Sequence, residues 1–148
     1  MPSEKFRRPP STALLAAVTA HVVATLTHFV HNAVFLADYP NLPVWLTAGG
    51  VYASWVVLTA VGIAGLALLR YVSVPLGLGV LVLYALLGFG GFDHYTLAAI
   101  SAHTTAMNLT ILFEAVTGTM LLAMIVREYR LRPFGYFAAS TTGEYFRK

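Results

Sequence analysis

The chain has no cysteine among its 148 residues. Disulfides, thiolate metal sites, iron–sulfur clusters and covalent CxxCH haem attachment are excluded with it. Charge is scarce as well: Asp, Glu, Lys and Arg make up 10% of the residues, where a soluble domain carries about a quarter. Hydrophobic residues make up 58% and the mean hydropathy is +0.74. Composition alone therefore places the chain in the membrane class. A phosphate-binding loop is missing too, because the glycine-rich LLGFGG of Leu86–Gly91 lacks both the Lys and the strand context. Ser101 and His103 diverge by about 160° on a helix and make no nucleophile–base pair. No internal repeat relates the two halves.

What is present is a series of long apolar runs. Four segments, about 11–36, 44–69, 72–90 and 96–126, are each long enough to cross a bilayer. The expected fold is an all-α integral membrane four-helix up-down bundle over 1–132, followed by an aromatic tail, 133–148, on the inner interface. Ser11 or Thr12 caps the first segment. Its length and its histidines read as a retained span rather than a cleaved signal. Pro40 and Pro43 in DYPNLP end it, and Arg70, Tyr71 and Pro75 separate the second segment from the third.

The charges orient this bundle. With the N-terminus inside, Lys5, Arg7, Arg8, Arg70, Arg127, Arg130, Arg132, Arg147 and Lys148 all fall on the inner side. The outer loops keep only Asp38 and Asp93, which is the positive-inside pattern with both termini cytoplasmic, as in a bacterial inner membrane protein. The nine basic residues are too few and too ordered for a nucleic-acid partner. The expected partners are lipid and other membrane subunits. Gly49, Gly50, Ala53, Ser54, Gly62 and Gly65, with Gly77 and Gly79, read as close-approach positions of two scaffold helices. Trp45, Trp55, Tyr52, Tyr71 and Tyr84 read as belt or packing residues.

Chemistry concentrates in the first and last segments. His21, Thr25, His28 and Asn32 are spaced +4, +3, +4 and share one helical stripe. His103, Met107, Thr110, Glu114 and Thr117 repeat the pattern on the last segment. Ionisable residues at membrane depth are costly and usually face a bundle interior. At about 1.5 Å rise per residue, His28 and His103 lie about 12 and 9 Å from the outer ends of their helices, and His21 comes level with Glu114.

Two function classes follow. One is a transition-metal site in the outer half, with His28, His31, His103, His94 and Asp93 as ligands for Cu, Zn or Fe, backed by Asn32, Asp38 and Met107. Haem b between His28 and His103 is the weaker form of that reading, since no Lys or Arg stands on the outer side to meet its propionates. His21 and Glu114, with Thr25 and Thr110, form either a proton relay or a helix lock. The other class is a non-catalytic accessory subunit whose polar stripes only join helices. Neither substrate nor catalytic residue emerges from the sequence.

Overall fold

The structure is a computed structural model that describes residues 8–132, so the aromatic tail expected over 133–148 lies outside the described residues. Four helices carry the architecture: α1 (Thr12–Val34), α2 (Ala48–Ala67), α3 (Val74–Leu87) and α4 (Thr105–Arg130). Among the described residues there is no strand. With their helical extensions, the four spans Thr12–Val34, Ala48–Val72, Val74–Leu97 and Thr105–Arg130 are long and apolar enough to cross a membrane.

Each helix begins on a hydroxyl. Ser11, Thr47, Ser73 and Thr104 accept from the backbone N–H of Leu14, Gly50, Leu76 and Met107, satisfying a donor that the first turn leaves open. The ends differ from the sequence expectation in two places. Arg70 and Tyr71 do not close a loop, because α2 continues as a π turn through Leu68–Val72 and only Ser73 separates it from α3. So tight a reversal brings the backbones together, and a Cβ at Gly77 would overlap the Leu69 backbone. The second difference is the last helix. It begins at Thr105, not near Thr96, because Ala98 is extended, Ile100–Ala102 form a 3-10 turn and Thr104 supplies the cap. The preceding span instead extends past Gly88 through a 3-10 turn, Gly90–Asp93, and a helical turn, His94–Leu97.

α1 packs most extensively on α4 and α2 on α3, while α1–α2 and α3–α4 contacts close the arrangement. The main apolar core joins Leu14, Val18, Leu69, Leu81, Leu121 and Ile125 near the end that carries Ser11 and Arg130. Three glycines bear out the close-approach reading: Gly62 faces the Tyr84 ring, Gly65 faces Leu81 and Gly77 faces Leu69. Gly79 has nothing near it, and Gly49 and Gly50 meet only the side chains of Thr47 and Leu46. In α2 only Val51, Gly62 and Gly65 are buried.

A second polar feature fastens the Ser11 end. The Arg132 guanidinium donates to Glu128 Oε1 at 2.7 and 3.2 Å, and the Ser11 backbone N–H donates to Glu128 Oε2 at 3.3 Å. One buried carboxylate thus ties the start of α1 to the end of α4.

Candidate functional site: a buried histidine cluster

The site grows from the α1–α4 seam. His21 Nδ1 lies 3.0 Å from Thr117 Oγ1, and His28 Nδ1 lies 3.3 Å from Thr110 Oγ1. The two histidines are seven positions apart and so are the two threonines, so the same pair recurs after two turns of antiparallel helices. This register replaces the expected levels: His28 does not meet His103, and His21 does not meet Glu114. The late start of α4 is the reason, since it leaves His103 in the loop before the helix and shifts every later residue relative to α1.

The hydrogen-bond network assigns the tautomers. Thr110 Oγ1 already donates to the Met107 carbonyl, and Thr117 Oγ1 donates to the carbonyls of Phe113 and Glu114. Each hydroxyl is therefore left as an acceptor, and His28 and His21 donate to it from Nδ1. His103 Nδ1 can only donate to its partner, the Ala99 carbonyl, at 3.0 Å. All three rings thus carry the proton on Nδ1 and leave the Nε2 lone pair free.

Of these, the His28 lone pair shares a focus with that of His94. The Asn32 amide nitrogen stands 3.1 Å from His28 Nε2 and 3.3 Å from His94 Nε2, donating one hydrogen to each. Glu114 Oε2 lies 3.7 Å from His28 Nε2. The bare Cα of Gly91 walls the same space: a Cβ there would stand 3.4 Å from Glu114 Oε2 and 3.6 Å from His28 Nε2. His28, Asn32 and Glu114 are buried, and neither Glu114 Oε2 nor Asn32 Oδ1 has a hydrogen-bond partner. Buried polar atoms are normally satisfied, so these two oxygens stand out as acceptors that no protein donor meets.

A second layer of rings covers the cluster. Tyr39, from the loop after α1, is 4% exposed and places its hydroxyl 2.9 Å from His31 Nδ1. Its ring lies 4.8 Å from that of His94, and His103 stands 6.1 Å from His94 and 5.4 Å from Tyr95. Burial pushes the Tyr39 phenol up to about 12, so it remains a protonated hydroxyl.

The expected site residues therefore divide. His28, His94, Asn32 and Glu114 converge. His31 and His103 lean on Tyr39 instead, and His21 stays apart on Thr117. Asp38 and Asp93 are exposed near the same end. Met107 is buried, with its sulfur accepting the Thr104 N–H, and Thr25 accepts from the Trp55 indole. Among the described residues, no group of three or more His, Cys, Asp or Glu side chains is placed to hold a metal ion.

Sequence reasoning missed Tyr39 and Gly91, and gave Asn32 only a supporting part. Tyr39 sits in a turn cluster, where nothing in the pattern marks an inward side chain. Asn32 did carry a signal, as the last polar residue of the α1 stripe.

No family model, no curated protein and no solved structure matches the chain.

Proposed function

We propose that the chain is an up-and-down four-helix membrane protein with both termini cytoplasmic, and that its extracytoplasmic half binds a transition-metal ion between His28, His94, Asn32 and Glu114. The orientation rests on the basic residues: among the described residues Arg8, Arg70, Arg127, Arg130 and Arg132 fall at the Ser11–Arg130 end of the alternating spans.

One observation carries the metal reading. Two imidazole lone pairs point at a single amide, and that amide's other atom, Oδ1, is buried without a partner. Turning the Asn32 amide over places an oxygen where the nitrogen now stands. The separations of 3.1, 3.3 and 3.7 Å then resemble the edges of a coordination shell, since ligand bonds of 2.0–2.1 Å give tetrahedral edges of about 3.3 Å. The set is two imidazole nitrogens, an amide oxygen and a carboxylate. It lacks three residues of the usual ligand types placed together, so closure draws His94 and Glu114 inward and recruits Asn32 as a donor. Mixed nitrogen and oxygen donors suit Zn or Fe, and also Cu(II). Thr110 fixes the His28 tautomer from behind, as carbonyls and carboxylates do for metal-bound histidines. Haem b between His28 and His103 fits less well, because His94 packs against both rings.

Metal content of the purified protein tests this, before and after chelation and reloading with zinc or cobalt(II). Stoichiometric uptake is expected. It should be lost in the His28→Ala, His94→Ala double variant and in Asn32→Leu, and kept or tightened in Asn32→Asp. Absence of uptake, or uptake that survives the double variant, overturns the site.

The second reading is an accessory subunit whose polar stripes only lock helices. The repeated His–Thr ties between α1 and α4 favour it, because each joins the two helices directly. On that reading Asn32→Asp has no effect on metal content.

A further inference from the structure

We infer that Tyr39 is the gate of the histidine cluster, separating it from an external cavity in the 36–46 loop through which the ion enters; this inference rests on the metal reading above. The cavity has a volume of about 400 Å³, with Leu36, Tyr39, Asn41, Pro43 and Leu46 in its lining. Tyr39 belongs to both sides. The residue that lines the cavity also lays its ring 4.8 Å from His94 and 6.4 Å from His103. No His or Glu of the cluster lines the cavity, and Tyr39 is the lining residue whose ring also touches the half-buried His94.

The loop is built to hold the ring in place and to let it go. Its neighbours are exposed: Ala37 and Asp38 on one side, and Val44 at 103% and Trp45 at 76% on the other. Tyr39, by contrast, is a single buried side chain on a segment with little other burial. Two polar contacts secure it. The first is the Tyr39 hydroxyl on His31. The second is Asn41, which adopts a left-handed φ of 59° and donates from Nδ2 to the Leu97 carbonyl at 2.9 Å. Asn tolerates that backbone conformation better than other non-glycine residues, so one residue both turns the loop and clips it to the far end of the third span. Elements with few buried apolar contacts open locally at low free-energy cost. Asp38, exposed beside Tyr39, gives the mouth a negative charge that favours cation entry.

Two rates test the gate. In metal-free protein, carbethoxylation of each histidine by diethyl pyrocarbonate is followed by mass spectrometry, with deeply buried His21 as the internal reference. Tyr39→Ala should speed modification of His94 by about tenfold over wild type. Asn41→Ala, which keeps the ring and removes the clip, should speed it by a smaller factor. His21 should stay slow in both. In the second arm, zinc uptake by Tyr39→Ala should be faster than in wild type. Equal His94 rates in wild type and both variants overturn the gate. Faster His94 modification in a protein that takes up no zinc supports the gate and overturns the metal reading alone.

Discussion

The two ends of this bundle are held together by different physics. Near Ser11 and Arg130 the helices meet through Leu14, Val18, Leu69, Leu81, Leu121 and Ile125, an apolar core that also takes in the Tyr84 ring, with the Glu128–Arg132 pair at the rim. Toward the loops that carry Tyr39 and His94, the same helices meet through imidazoles, hydroxyls, an amide and a carboxylate. The first end relies chiefly on close fit. The second holds buried polar atoms, several of them unpartnered, at a cost that packing alone does not explain. A chain that needed only to stay folded would repeat the apolar solution at both ends. The contrast teaches that apolar packing is concentrated at one end and buried hydrogen-bonding groups at the other.

The division can be broken from the apolar side first. Leu121→Ala empties a fully buried position and should cost roughly 3–4 kcal/mol. Unfolding in mixed micelles measures that loss, and metal affinity of the folded fraction should stay unchanged. A large fall in affinity would mean that the two ends are one cooperative unit. Glu128→Ala should cost about 3 kcal/mol by leaving Arg132 buried without its carboxylate. The same unfolding assay reads it, and the effect should be far smaller in Glu128→Gln, which can still accept from Arg132.

From the polar side, Thr110→Val removes the acceptor that orients His28. Metal affinity should fall by about 10- to 100-fold, as for other residues supporting a ligand, with stability lowered by only about 1 kcal/mol. Competition with a chelator of known affinity gives the first number. If stability falls as far as affinity, Thr110 is a helix lock and the contrast between the ends dissolves. The smallest effect is expected for Trp55→Phe. It deletes one indole–hydroxyl bond to Thr25 and should cost about 0.6 kcal/mol in unfolding, with no change in metal content.

Much of this was readable along the chain. His21, Thr25, His28 and Asn32 announce an inward stripe because helical periodicity is local, and all four are buried. Met107, Glu114 and Thr117 are buried on α4 for the same reason, while Thr110, on the same stripe, is half-buried at the seam. His103 misled, because the spacing that puts it on the stripe ignores the cap at Thr104. That cap ends the connection and starts the helix about two and a half turns later than hydropathy suggests. His94 was expected in a loop over the bundle mouth, whereas it opens a helical turn that continues the third span. Tyr39 lay in a run of turn residues whose polarity hid a buried ring.

The sequence by itself determined that four segments are long and apolar enough to cross a bilayer, where the basic residues fall between them and which faces of the outer helices are polar. Those properties depend on composition and on neighbours a few residues apart. Only the tertiary structure decided that His28 meets Thr110, that Asn32 bridges two rings and that Tyr39 covers them. Each of these contacts joins segments whose relative register is fixed by where a helix begins and how a loop returns. Register is a property of the closed bundle, and no single helix carries it.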